Sequence, residues 1–135
     1  MASGTREIVR IIERIADAHG IPPAFALAVA CLESGGVARL SGPGADGGWY
    51  QFKNPTPYGS PVDRARDDDL GYQCTLFCEA ARSRADGRLR AEANWPEWAR
   101  RVQGIAPRYM FRNQRFADDR FPEFVAGARE LLERG

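Results

Sequence analysis

The sequence has almost no net charge and no long apolar run. Nineteen basic and eighteen acidic side chains leave a formal net charge of +1, so no field of one sign exists to attract nucleic acid or anionic lipid. No stretch approaches the length of a transmembrane helix. Charges at positions 6, 7, 10, 13 and 14 interrupt any signal-peptide core. We therefore expect a protein made in the cytoplasm that binds no nucleic acid and does not insert stably into a membrane.

Histidine and cysteine are scarce, with one His and three Cys in the chain. Cys74 and Cys78 are four residues apart on a predicted helix, whose backbone disfavours a disulfide between them. Free, buried thiols made in a reducing compartment are the favoured interpretation for these two and for Cys31. A zinc site formed by the three cysteines and His19 is the alternative, but no paired Cys-x-x-Cys signature supports it. We expect no metal and no other cofactor.

The length of the chain suits one compact domain covering residues 1–135. In its first part, apolar residues recur at helical spacing. Pro22-Pro23 precedes residues 24–34, which are apolar on nearly all sides and predict a helix buried in the middle of the domain. A helix is also predicted before it, with Thr5 as N-cap and Gly20 after its end. That first helix has four isoleucines at helical spacing: Ile8, Ile11, Ile12 and Ile15.

Glycine and proline interrupt this pattern from residue 35 to residue 61. Only Trp49–Phe52 is β-prone there, and at most a short strand or hairpin fits. Three further helices are predicted, beginning after Asp67-Asp68-Asp69, at Trp95-Pro96 and at Pro122. The three aspartates could chelate a metal, but acid at the positive end of a helix dipole explains them without one. The predicted fold class is mainly α (α+β), with about five helices and a small β excursion after the second.

Glu33 is the first charged side chain to follow the apolar residues of the second predicted helix. A carboxylate at the end of a buried helix is costly unless it is paired, solvated through a cleft or protonated. A carboxyl group in an apolar wall facing a cleft suits a general acid. The alternative is that Glu33 lies on the wet edge of its helix before an ordinary Gly-Gly stop. Periodicity alone leaves both interpretations open.

Three phrases around Glu33 resemble a known family. Gly20-Ile21-Pro22-Pro23 leads to Glu33-Ser34, and Gly48–Phe52 follows with its glutamine eighteen residues after Glu33. This order resembles the catalytic region of the lysozyme-like superfamily. The resemblance is to lytic transglycosylases related to the soluble lytic transglycosylase and, more distantly, to goose-type lysozymes. It covers residues 8–52 and is faint beyond them.

The resemblance implies a lysozyme-like fold that cleaves peptidoglycan glycan strands between N-acetylmuramic acid and N-acetylglucosamine. Glu33 would be the catalytic acid, and Ser34, Gly48, Tyr50 and Gln51 would line the glycan cleft. A sugar ring needs apolar surface for one face and amide groups for its polar substituents. Because side chains alternate along a regular strand, Tyr50 and Gln51 cannot both reach the sugar from one.

The other aromatic residues have simpler interpretations. Trp49 and Phe52 are predicted to pack in the core beside the β excursion. Trp95 and Trp98 are likewise predicted as core anchors rather than sugar platforms. The family's Ala-Tyr-Asn-Ala-Gly phrase, whose tyrosine meets the catalytic acid, has no match here. Tyr109 is the candidate to supply that hydroxyl.

A second carboxylate would decide between hydrolysis and transglycosylation. Inverting hydrolases place a base about 6.5–9.5 Å from the acid, whereas in a transglycosylase the substrate's own acetamido and hydroxyl groups complete the reaction. Asp46, thirteen residues after Glu33, is the candidate base, and goose-type lysozymes carry an acid at similar spacing. Its alternative role is to form a turn in Gly44–Gly47.

Without a leader peptide, the protein is expected to reach the cell wall as a phage product, within a virion or during lysis, or through a dedicated export route. Its expected partner is the peptidoglycan glycan strand. A second hypothesis from another class is a non-catalytic lysozyme-like module that binds the cell wall or other phage tail proteins. An intact Glu33 and Gln51 favour the enzyme.

Overall fold

The computed structural model describes residues 2–40, 42, 48–50, 62–66, 68–102 and 120–134. Within them lie five α-helices and one small antiparallel hairpin, which confirms the predicted fold class. None of the helices in these residues is both long and apolar enough to cross a membrane. The helices are α1 (Ala2–Ala18), α2 (Pro23–Ser34), α3 (Leu70–Ala85), α4 (Trp95–Val102) and α5 (Phe121–Arg134).

The first helix follows the predicted stripe but begins earlier than predicted. Val9, Ile12 and Ala16 are buried, and Ile8 and Ile15 pack partly against them. The prediction of Thr5 as N-cap is wrong, because α1 already includes residues 2–4. The end of α1 is as expected, with Gly20 at φ +69°, a left-handed conformation that favours glycine.

Helix α2 is the centre of the fold. Proline occupies its first position, where the missing N–H costs nothing, and every residue from Ala24 to Leu32 is buried. The helix contacts α1, α3, α4, α5 and the hairpin. Near its start, the Phe25 ring packs against three other aromatic rings with centroids 5.7–6.2 Å away: Phe77, Trp95 and Phe121. A helix held on all sides in this way is a rigid support for whatever its ends carry.

The hairpin directly follows α2, fourteen residues before the β-prone Trp49. Strand β1 (Gly35–Gly36) pairs with β2 (Arg39–Leu40) in the register Gly35 to Leu40. An added Cβ at Gly35 would lie 2.1 Å from the carbonyl oxygen of Arg39, so only glycine fits there. At Gly127 of α5, an added Cβ would lie 2.4 Å from the backbone nitrogen of Ala38 in the turn. Two close backbone approaches therefore fix the hairpin, one within it and one to α5.

Helices α3 to α5 carry the rest of the core. Asp69 caps α3 by accepting a hydrogen bond from the backbone N–H of Tyr72 at 3.0 Å, which confirms acid at this helix start. Asp86 and Gly87, at φ +42° and +81°, end the helix as predicted. Trp95 and Trp98 are buried, which confirms them as core anchors. Four predicted apolar positions of α5 are buried too: Phe124, Val125, Ala128 and Leu131.

Candidate functional site

Glu33 occupies the last turn of α2, directly after nine consecutive buried residues. Its side chain is half-buried, and its Oε1 atom is shielded from solvent. The carboxyl group is thus neither extended into bulk solvent nor enclosed completely. A group in this position is held by a rigid helix and still reaches the molecular surface, as a general acid must.

Ser34 is the final residue of α2 and is half-buried. Its Oγ donates a hydrogen bond to the carbonyl oxygen of Ala30, at 2.9 Å. This bond commits the hydroxyl proton to the helix's own last turn. Ser34 therefore stabilises the end of the helix beside Glu33, and only its oxygen lone pairs remain for a ligand.

The hairpin gives Glu33 a neighbouring surface with few side chains. Gly35 and Gly36 follow Ser34 directly, and a Cβ added to Gly36 would have no atom within 4 Å. Val37, in the turn, is 48% exposed, the one large apolar side chain that is exposed among the described residues. The backbone that follows Glu33 in the chain therefore carries few side chains, with open space at Gly36 and one exposed apolar residue.

Residues 48–50 are attached to α2 and α3 by four hydrogen-bonding contacts. Trp49 Nε1 donates to the carbonyl oxygen of Asp68 at 3.1 Å, and the Tyr50 backbone N–H donates to Gln73 Oε1 at 3.2 Å. The Tyr50 hydroxyl donates to the carbonyl oxygen of Ala26 at 2.9 Å and lies 3.7 Å from a cysteine sulfur of α3. Gly48 is buried at φ +74°, a conformation that favours glycine. This short segment is thereby fixed against the central helix.

The side chain of Tyr50 lies in the core, which corrects its expected place in the cleft wall. It is fully buried, and its ring stacks on Phe77 with centroids 4.5 Å apart. Its burial raises the pKa of the phenol well above the usual value. The hydroxyl is hydrogen-bonded to a backbone carbonyl and the ring is packed in the core, so neither is available to a ligand. Trp49, 6% exposed, is a core residue as predicted.

Gln73 is a site-supporting residue that the sequence analysis missed. Its side chain is fully buried, it holds the Tyr50 backbone, and its Nε2 has no hydrogen-bond partner among the described residues. A signal was present: Gln73 lies four residues before Phe77 and so shares its inward face on α3. A glutamine on such a face requires a buried partner.

Four other predicted residues lie outside the described part of the chain. They are the candidate base Asp46, the cleft residues Gln51 and Tyr109, and the predicted core residue Phe52.

All three cysteines are free and buried, as predicted. Burial raises the pKa of the Cys31 thiol to about 12, although a hydrogen bond from the Arg39 backbone opposes the shift. Cys74 and Cys78 are hydrogen-bonded to each other, and this bond and burial raise the pKa of Cys78. Among the described residues, no three His, Cys, Asp or Glu side chains are grouped to hold a metal ion. The His19 ring instead makes a hydrogen bond through Nδ1 to the carbonyl oxygen of Ile15, at 2.8 Å.

Comparisons with protein-family models, with curated proteins and with solved structures find no match to this chain.

Proposed function

We propose that this protein cleaves peptidoglycan glycan strands between N-acetylmuramic acid and N-acetylglucosamine, with Glu33 as the general acid. The observation behind the proposal is the position of Glu33. It lies in the last turn of α2, directly after nine buried residues, is half-buried itself, and is followed by the hairpin glycines. The family resemblance of residues 8–52 supplies the substrate class.

The chemistry needs a proton donor held in a fixed place beside an open surface. Glu33 would give its proton to the glycosidic oxygen while the bond from that oxygen to the muramic acid C1 breaks. The proton leaves with the N-acetylglucosamine hydroxyl. In hydrolysis, a water molecule activated by Asp46 then adds to C1. In transglycosylation, the sugar's own hydroxyl bonds to C1 and closes an anhydro ring, and its proton goes to the Glu33 carboxylate, which restores the acid.

The hairpin supports this proposal through its lack of side chains. Gly36, with open space beside its Cα, would let the backbone approach a sugar ring closely, and the exposed Val37 offers apolar contact for the ring's C–H face. Arg39, on the second strand, is exposed at the same hairpin. It can donate hydrogen bonds to sugar oxygens or to a substrate carboxylate.

Tyr50 has a positioning role in the proposed site. Its hydroxyl joins residues 48–50 to Ala26 of α2, and Gln73 holds its backbone N–H. These bonds fix the segment that leads directly to Gln51. Gln51 therefore remains the proposed polar contact to the sugar, whereas the Tyr50 ring is not proposed as one.

The experiment is digestion of purified peptidoglycan, followed by mass spectrometry of the soluble fragments. Anhydro-muramic ends identify a transglycosylase, reducing muramic ends identify a hydrolase, and either result supports the proposal. Asp46→Asn is expected to stop hydrolysis if Asp46 is the base and to leave transglycosylation intact. If the wild-type protein sediments with peptidoglycan but releases no fragments, the proposal is wrong and the non-catalytic binding module replaces it.

A further inference from the structure

A cavity of about 410 Å³ lies at the amino end of α2, where the carboxyl ends of α1 and α3 meet it. Its volume is typical of a pocket for a small molecule. The distance from Pro22, in its wall, to Glu33 is about 16 Å along the helix axis at 1.5 Å per residue. The cavity is therefore separate from the proposed catalytic site. Its apolar wall consists of buried residues: Ile21, Ala81, Ala85 and Leu89.

Two arginines without partners give the cavity its charge. Arg82 and Arg90 line it and are exposed, and neither guanidinium has an ion pair or a hydrogen bond to any described residue. Asp86 is the one acid among the lining residues. Elsewhere, six arginines of the described chain are paired with nearby carboxylates: Arg10, Arg66, Arg101, Arg120, Arg129 and Arg134. The cavity thus carries two cationic side chains against one carboxylate.

Backbone hydrogen bonds engage part of the carbonyl groups at the two helix ends beside the cavity. Carboxyl ends of helices carry partial negative charge on their last carbonyl groups. Here those carbonyls already accept backbone hydrogen bonds: Ile15 and Ala16 from the N–H of His19, Asp17 from Gly20, and Arg82 from Asp86. The Nδ1 of His19 is also occupied, which leaves Nε2 as its other ring nitrogen.

We propose that this cavity binds a small organic oxyanion, a phosphate or carboxylate group on an apolar body. Arg82 and Arg90 would hold the oxyanion by charge-assisted hydrogen bonds, for which guanidinium geometry is well suited. The apolar wall of Ile21 and Leu89 would cover the body of the ligand. This site does not depend on the proposed glycan cleavage, because it shares no residue with Glu33 and its hairpin.

The test is an NMR titration of the full chain at constant ionic strength, with inorganic phosphate, phenyl phosphate and benzoate as probes. The amide signals of Gly20 and Gly87 report binding, since both glycines line the cavity. Saturable shifts of both signals are expected with at least one organic probe. Phenyl phosphate is expected to bind several times more tightly than inorganic phosphate, because its ring is removed from water.

The double variant Arg82→Gln/Arg90→Gln is expected to weaken that binding about tenfold or more. Both side chains are exposed, so the fold should be kept, which an unchanged melting temperature would verify. Arg14→Gln is the matched control, because Arg14 is exposed and does not line the cavity. Binding of phenyl phosphate alone identifies a phosphate ester as the ligand, and binding of benzoate identifies a carboxylate. No saturable shift with any probe, or equal binding by the double variant, would overturn the proposal.

Discussion

The two ends of α2 are built from opposite chemistry on one rigid support. At the carboxyl end, a half-buried carboxyl group adjoins glycines, and the surface beside it is bare backbone. At the amino end, exposed arginines and the only histidine of the sequence line a cavity of mixed polar and apolar character. A proton donor needs shielding and a fixed position, whereas capture of an anion needs exposed positive charge. In the two proposals, one buried helix would support two separate sites.

The largest effect on the carboxyl end of α2 alone should come from a substitution that disturbs the hairpin. Gly35→Ala places a Cβ 2.1 Å from the Arg39 carbonyl oxygen, so the hairpin beside Glu33 must move. We expect a loss of about 1–3 kcal/mol in the free energy of unfolding, from overpacking, together with reduced glycan cleavage. Urea denaturation measures the first, and fragment release measures the second.

Gly36→Ala is the matched control for this change. Its added Cβ has no atom within 4 Å, and its φ angle is not positive. The free energy of unfolding should stay within about 0.5 kcal/mol of wild type. Equal destabilisation by the two substitutions would mean that the hairpin is not held by the close contact at Gly35.

Cys31 should have a smaller effect, on the pH dependence of the free energy of unfolding. Its thiol is buried in the last turns of α2, whereas the cavity at the other end of the helix is open. Its folded-state pKa of about 12 exceeds the ordinary value of 9.0, so folding favours the protonated thiol. That stabilisation is complete below pH 9 and is lost as pH rises from 9 towards 12. The free energy of unfolding should therefore fall by about 1.4 kcal/mol per pH unit from this group.

Urea denaturation between pH 8 and pH 10.5 checks this slope against Cys31→Ala, which should fall less steeply. The comparison removes contributions to the pH dependence that do not involve Cys31. If the free energies of unfolding of the two proteins fall in parallel as pH rises, the Cys31 thiol is not shielded from solvent in the folded state.

The smallest predicted effect is that of Tyr50→Phe, which removes only the hydroxyl bonded to Ala26. Loss of this buried bond should cost about 1–2 kcal/mol at most, because one carbonyl oxygen loses its partner. The cleavage rate per folded molecule should change little, since the ring keeps its stacking on Phe77. A large loss of cleavage rate with unchanged stability would show that the Tyr50 hydroxyl contacts the glycan, as the family resemblance implies.

The helices could be predicted from the sequence because their signals are local. Apolar spacing defined the faces of α1, α3 and α5, and glycine or proline marked most of the ends. The predicted start of α1 was wrong. Thr5 has the chemistry of an N-cap residue, but the helix begins at Ala2 and includes Gly4, which has poor helical propensity.

A small β excursion after the second helix was predicted, but its position was not, because residues 35–40 are poor in β-forming residues. Its position depends on the close approach of Gly127 in α5 to Ala38, a contact between residues 89 positions apart. The burial of Tyr50 is also a tertiary result, since it requires Gln73 and Phe77 of α3. Glu33 stood out in the sequence as a carboxyl group directly after a run of apolar residues, but that pattern left its role open, and the family resemblance selected it as the candidate acid.

The central claim is that Glu33 donates the proton, and the rate of fragment release from peptidoglycan tests it most directly. Glu33→Gln keeps the shape of the side chain and removes its acid function, while Glu79→Gln changes an exposed glutamate of α3 as a matched control. With both variants folded, we predict a rate about 10²–10⁴ times lower for Glu33→Gln and an unchanged rate for Glu79→Gln. A Glu33→Gln protein that releases fragments at the wild-type rate would contradict the claim.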